Sequence, residues 1–117
     1  MVRQLTGKEY ESYVKEKAAA AIHFDAAWDV KYRPITQQEM KDAEAALSEE
    51  VNFGKVDCDQ EIPRAQSIGL LSVPAVAYYR DGKLVAVLPA IQQDIHGRLV
   101  RLLRGDPIGK DDGLDGR

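Results

Sequence analysis

The sequence predicts an α/β fold in which helices pack on both faces of a central sheet. Segments with apolar residues at helical spacing alternate along the chain with short β-prone runs. Asp81-Gly82 then separates two β-prone runs, which is a strong hairpin signal. The 117 residues, 44% of them hydrophobic, suffice for one domain with its own core. Helix–strand alternation implies right-handed crossovers onto a parallel core sheet, and the hairpin adds antiparallel strands at one edge.

The first half of the chain predicts two helices around a strand. Residues 5–17 form the first helix, and Thr6 and Glu9 have the spacing of a capping box at its start. The small apolar run Ala18–Phe24 is typical of a buried strand. The second helix occupies "TQQEMKDAEAALSEE", and its apolar face comprises Met40, Ala43 and Leu47.

The second half predicts three strands and two helices. Val51–Asp59 alternates and is rich in β-formers, and residues 60–69 indicate a short helix with a glycine at its end. The hairpin covers residues 72–89. The last helix lies in residues 92–104, with Ile95, Leu99, Leu102 and Leu103 on its apolar face. We therefore expect a domain over residues 1–104 and a flexible polar tail over 105–117.

Composition excludes several classes of function. The net charge is −3 and the basic residues are scattered, so no nucleic-acid partner is expected. The longest apolar stretch, Ala18–Ile22, is too short for a bilayer, and the N-terminal segment lacks a signal-peptide core, so we expect a cytoplasmic protein with no membrane partner. A single cysteine, Cys58, excludes an internal disulfide and a paired-cysteine zinc site. His23 and His96 show no ligand spacing, so no metal or cofactor is predicted.

Four short segments carry a resemblance to a known family. They are "QLTGKEYESYV", "AIHFDAAW", "FGKVDCDQ" and "IGLLSVPAVAYYRDGK". In this order and spacing they resemble the thioredoxin family over residues 3–104. The resemblance implies a thioredoxin-like fold, with a central mixed sheet of about five strands flanked by about four helices. It places Trp28 on the family's active-site tryptophan, Lys55 on a lysine common in the third strand, and Pro74 on the cis-proline.

The resemblance breaks at the active site. "DVKY" stands where the family carries Cys-x-x-Cys, so Asp29 and Tyr32 occupy the two cysteine positions. Disulfide exchange needs a thiolate and a second, resolving thiol, and neither Asp nor Tyr supplies one. His23 falls on the family's buried acidic position. We therefore predict no catalytic residues of the thioredoxin type.

Two other groups are candidates for chemistry. Asp25 and Asp29 form a candidate acid–base pair, but no histidine or nucleophile accompanies them, so capping or solvation is the preferred interpretation. Cys58 alternates with Val56 and is expected to point into the core, where a cysteine is usually inert. The alternative is a monothiol oxidoreductase that works through Cys58 or with a partner's thiol.

The start of the second helix has two interpretations. Asp29 suits the cap of a helix that begins at the family's position, but this places Pro34 inside the helix. A later start puts Pro34 at the first turn, makes Thr36 and Glu39 a second capping box, and leaves "WDVKYR" as a protruding loop. The capping preferences favour the later start.

The expected function is binding of a protein or an extended peptide at the former active-site surface. Aromatic residues beside Lys31 and Arg33 on an exposed loop have the composition of a binding hot spot. By resemblance, the backbone of Val73 pairs with a guest strand; the alternative is that Pro74 is retained for its turn alone. The predicted contact residues are Trp28, Asp29, Val30, Lys31, Tyr32, Val73 and Pro74. Such a protein acts as a redox-inactive adaptor, assembly factor or co-chaperone.

Overall fold

The computed structural model describes residues 2–58, 75–89 and 94–108 of the chain. The elements are β1 (Arg3–Gln4), α1 (Gly7–Lys15), β2 (Ala19–Asp25), α2 (Arg33–Leu47), β3 (Val51–Asp57), β4 (Ala75–Arg80), β5 (Lys83–Pro89) and α3 (Ile95–Leu103). From α1 onward these confirm the predicted order of the described helices and strands, while β1 precedes the elements predicted from the segments. The short helix predicted over residues 60–69 lies outside the described residues.

The five strands form one mixed sheet in the order β1-β3-β2-β4-β5. β3 runs parallel to both β1 and β2, while β4 is antiparallel to β2 and to β5. Every residue of the central strand β2 is buried, which explains its run of alanines, because helices cover both of its faces. The mixed sheet expected from the sequence is confirmed.

The two faces of the sheet carry separate hydrophobic clusters, because alternate side chains of a strand point to opposite faces. The α1 face holds Tyr10 and Tyr13, whose hydroxyls bond to the Tyr79 hydroxyl and the Phe53 carbonyl, both at 2.7 Å. The opposite face packs under α2 and α3. Its buried members include Ala19, Ala21, Met40, Ala43, Phe53, Val76, Tyr78, Ile95, Leu99 and Leu102. This second face also carries His23 at the end of the strand that leads to the candidate site.

The hairpin between β4 and β5 turns at the predicted Asp81-Gly82 pair. Asp81 has φ 53° and Gly82 has φ 81°, so both central residues adopt the left-handed conformation of a type I′ turn. The Asp81 N–H also donates to the carbonyl of Ala18 at 2.9 Å, which ties the turn to the residue before β2. A local pattern in the sequence therefore sufficed to place this connection.

The capping box predicted for α1 is wrong. Thr6 is the N-cap residue, but its side chain makes no capping hydrogen bond. The Glu9 carboxylate instead pairs with Arg3, 3.7 Å away. A side-chain cap occurs at α3, where Asp94 Oδ1 accepts from the Gly97 N–H at 3.2 Å.

The last described residues stay close to the domain. Ile108 packs against the cluster under α2 and α3, and the Arg101 guanidinium donates to the carbonyl of Pro107 at 2.9 Å. Residues 109–117, the rest of the expected tail, lie outside the described residues. Within residues 2–58, 75–89 and 94–108, no helix has the length and apolar character needed to cross a membrane.

Candidate functional site

The candidate site lies at the carboxyl end of the central strand β2. There the β2–α2 loop, residues 26–32, leaves the sheet and leads into α2. The loop exposes two large apolar side chains, Trp28 at 61% and Val30 at 84%. Ile35, in the first turn of α2, is also 55% exposed. Most of the surface of these apolar side chains stays in contact with water, so covering it with a partner would release further hydrophobic free energy.

Asp29 stabilises the conformation of this loop through hydrogen bonds to its backbone. Its carboxylate is buried, and Oδ1 accepts a hydrogen bond from the Tyr32 N–H at 3.0 Å. Its own N–H donates to the carbonyl of Ala26 at 3.0 Å. The side chain thus caps the turn before α2, as an N-cap aspartate does three residues ahead of its donor. Asp29 therefore organises the loop while its neighbours supply the exposed surface.

α2 begins at Arg33 and has Pro34 in its first turn, so the later of the two predicted starts is correct. Proline fits there because the first N–H groups of a helix have no partner within the helix. The capping box predicted for Thr36 and Glu39 is wrong. Thr36 is fully buried inside the helix, and Glu39 Oε1 faces the Ile95 N–H of α3 at 3.5 Å.

Asp25 forms an ion pair with Arg33 below the loop. Its Oδ1 lies 2.8 Å from Nε of Arg33, and its side chain is almost entirely buried. The pair joins the end of β2 to the start of α2. Since Asp29 is a cap and Asp25 an ion-pair partner, the two carboxylates have separate structural roles. Their arrangement does not provide the acid–base pair considered from the sequence.

His23 is buried on the α2 face of the sheet, two residues before Asp25. The pKa of His23 is lowered from 6.5 to about 4, chiefly by burial; Lys55 and Arg33 act in the same direction, while Asp25 and Asp29 oppose the shift. The imidazole is therefore neutral at pH 7 and a weak base. Its Nε2 atom is buried and makes no hydrogen bond within the described part of the chain.

Cys58 lies directly after β3 and is half-buried, and it packs on the side of Val56 against the α1-face cluster, in the expected inward direction. The strand ends one residue earlier, at Asp57, and the chain turns there. The Cys58 N–H donates to the carbonyl of Asp25 at 2.9 Å, and its side chain packs at the border of the α1-face cluster. Among the described residues, no group of three or more His, Cys, Asp or Glu is placed to hold a metal ion.

The remaining predicted contact residues have different positions. Lys31 is exposed, and its ammonium lies 5.2 Å from the ring centre of the half-buried Tyr32, within cation–π range. Val73 and Pro74 lie outside the described residues. Ile35 was missed from the sequence, although it carries a signal: it is apolar, yet it falls outside the buried stripe of Met40, Ala43 and Leu47.

Comparison with known proteins identifies the architecture. The family model described as Thioredoxin matches residues 1–98. Oxidised thioredoxin of Plasmodium falciparum is 18% identical with a TM-score of 0.71, covering 90% of this chain and 97% of that chain. A mutant thioredoxin of Halobacterium salinarum is 16% identical with a TM-score of 0.74, covering 92% of this chain and 90% of that chain.

A third similar structure belongs to a longer protein. Zinc-bound human ERp44 is 20% identical with a TM-score of 0.71, and the match covers 90% of this chain but 31% of that chain. At these identities the three solved structures establish a shared fold. No curated protein matches the chain significantly in sequence.

Proposed function

The chain belongs to the thioredoxin family, and from that premise we propose that it binds a protein or an extended peptide at the former active-site surface without exchanging disulfides. In this proposal the protein is an adaptor, assembly factor or co-chaperone. The observation that carries it is the loop itself, which exposes Trp28 and Val30 while holding a capping aspartate at a cysteine position.

The loss of redox activity follows from the chemistry at two positions. Asp29 and Tyr32 stand where the family's attacking and resolving cysteines would be, and neither side chain forms a mixed disulfide. Asp29 Oδ1 is engaged with the backbone of Tyr32. The buried His23, in the place of the family's buried acid, is neutral at pH 7 because burial lowers its pKa to about 4.

Partner binding is supported by the exposed surface of the β2–α2 loop and the first turn of α2. Trp28, Val30 and Ile35 provide apolar area, and the exposed Lys31 flanks it with positive charge, whereas Arg33 is paired with Asp25. Exposed aromatic and aliphatic residues beside basic ones have the composition of interface hot spots. By resemblance to the family, Val73 and Pro74 add backbone groups for pairing with an extended segment.

An insulin-reduction assay with dithiothreitol tests the redox half of the proposal. We expect the natural chain to reduce insulin no faster than dithiothreitol alone. The double variant Asp29→Cys/Tyr32→Cys restores the dithiol in the same fold and is the matched control, expected to accelerate the reaction. Turnover by the natural chain above the dithiothreitol background would contradict the proposal.

Affinity capture with matched variants tests the binding half. Partners captured from an extract of the source organism are purified, and their affinity is measured for the natural chain and for Trp28→Ala/Val30→Ser. We expect the affinity to fall by about tenfold or more, as at a hot spot. The control Leu84→Ala/Val85→Ser removes apolar surface that is 41% exposed at each position on β5, away from the loop. Equal losses in the two variants would contradict a binding site at the loop.

Cys58 supports a second candidate function. Because Cys58 is half-buried and its backbone N–H bonds to the carbonyl of Asp25 at the end of β2, monothiol chemistry at the base of the loop is the competing proposal. Native-state labelling with iodoacetamide separates the two. Rapid labelling, together with an oxidoreductase activity that Cys58→Ala abolishes, would establish the second candidate and refute the first. A cytoplasmic location is part of both proposals, and fractionation of source cells tests it.

A further inference from the structure

A cavity of about 390 Å³ lies between α2 and the strands β2 and β3, apart from the exposed loop. Its lining runs from the exposed Lys41 on α2 down to the buried His23 on the sheet. We call it the His23 cavity. Its volume falls within the range of small-molecule sites, about 300–1,000 Å³. It is therefore large enough for a small organic ligand and open to solvent at one end.

The inner end of the His23 cavity is formed by a buried histidine. His23 lines the cavity, but it is 1% exposed, and its Nε2 has almost no accessible surface. A ligand in the cavity therefore lies near the ring without bonding to Nε2. Because the neutral ring adds no charge, recognition of the ligand depends on the charged and apolar groups of the rest of the lining.

The charges in the lining favour a negative group. Lys41 and Lys55 bring two ammonium groups, and neither forms an ion pair within the described part of the chain. Lys55 is the β3 neighbour of His23 in the sheet, opposite it in register. Glu44 contributes a single carboxylate, so the lining has a net charge of one positive unit. That balance suits a ligand with one negative charge better than one with two.

Apolar side chains complete the lining. Met40 is buried, and Val2 packs against the core cluster. Both residues give the cavity an apolar wall, which a ligand with an apolar part covers and a small inorganic ion does not. We propose that the His23 cavity binds a small monocarboxylic acid with an apolar body. In this arrangement the carboxylate pairs with Lys55 near the His23 ring, and the apolar body lies against Met40 and Val2. This site is separate from the exposed apolar loop and does not depend on partner binding there.

Titration of the ¹⁵N-labelled chain with phenylacetate, followed by NMR, tests the proposal. A ligand of this size is expected to bind with a Kd on the order of 1 mM. We expect saturable shifts of the amides of His23, Lys55 and Met40. Phenylacetamide, which keeps the shape and removes the charge, is expected to bind about tenfold more weakly, because charge-assisted hydrogen bonds are the stronger kind. Equal binding of the amide would overturn the proposal.

Variants locate the charge that binds the carboxylate. Lys55→Met is expected to weaken phenylacetate binding about tenfold, while Lys83→Met, an exposed lysine on β5, leaves it unchanged. Equal binding by the natural chain and Lys55→Met would overturn the assigned contact.

The His23 ring gives an independent readout. A bound carboxylate favours the imidazolium, so the midpoint of the His23 ring resonance should move to higher pH in saturating phenylacetate. An unmoved midpoint would overturn the placement of the carboxylate near the His23 ring. The absence of saturable shifts at about ten times the expected Kd would overturn the site. Saturation by inorganic phosphate but not by phenylacetate would overturn the assigned ligand class.

Discussion

The buried histidine predicts how the stability of this protein depends on pH. The pKa of His23 is lowered from 6.5 to about 4, chiefly by burial, so between these values the unfolded chain binds a proton that the folded chain does not. The contribution of this group is fully present above pH 6.5 and is lost as the pH falls towards 4. Lys55 and Arg33 act in the same direction as burial, while Asp25 and Asp29 oppose it.

The size of the effect follows from the shift. Each pKa unit corresponds to about 1.4 kcal/mol, so the full shift is worth roughly 3 kcal/mol. At pH 5, where most ordinary carboxylates are still ionised, linkage predicts that the natural chain has lost about 2 kcal/mol of this contribution relative to pH 7. For a domain of this size that is a large share of a total of about 5–15 kcal/mol.

Urea unfolding at pH 7 and pH 5 measures the effect. His23→Gln removes the titrating group. From pH 7 to pH 5, the free energy of unfolding of this variant should therefore fall by about 2 kcal/mol less than that of the natural chain. His96→Gln removes an exposed histidine on α3 and is the matched control, expected to keep the natural pH dependence. Identical pH dependence in the natural chain and His23→Gln would refute the reasoning, as would an NMR midpoint for His23 above pH 6.

Three further predictions concern the backbone and its packing, each measured by urea unfolding at pH 7. Asp29→Ala removes the acceptor of the Tyr32 N–H and should lower the free energy of unfolding by about 1 kcal/mol; an unchanged value would argue against the cap. Gly54→Ala places a Cβ 2.8 Å from Leu5 Cδ1 and should cost about 1–3 kcal/mol, whereas a neutral result would mean that β1 shifts freely. Gly82→Ala forces a side chain into φ 81° and should cost about 1 kcal/mol, and a stabilising effect would contradict the type I′ turn.

Two predictions that depend on turn residues and one that depends on segment order were confirmed. The Asp81-Gly82 turn needs only two residues that tolerate positive φ, and both adopt it. Pro34 similarly specifies the first turn of α2, because its ring fits only where the missing N–H is unneeded. The mixed sheet follows from the order of the segments. These features depend on neighbours in the chain, which the sequence displays directly.

The two predicted capping boxes were wrong. Thr36 and Glu39 have the spacing of a capping box, but the helix begins earlier, and Glu39 faces the start of α3 instead. Thr6 and Glu9 fit the same motif, yet Glu9 pairs with Arg3. In each case a helix start or a side-chain contact that the motif does not encode decided the outcome.

By itself, the sequence determined the thioredoxin family, the order of the described elements and the absence of cysteines at Asp29 and Tyr32. Each of these is a property of residue type and spacing along the chain. Only the tertiary structure decided that the Asp29 carboxylate turns inward as a cap, that Asp25 pairs with Arg33, and that His23 stays neutral above a cavity shared with Lys55. Burial and electrostatic fields arise from side chains brought together by folding, so no local pattern carries them.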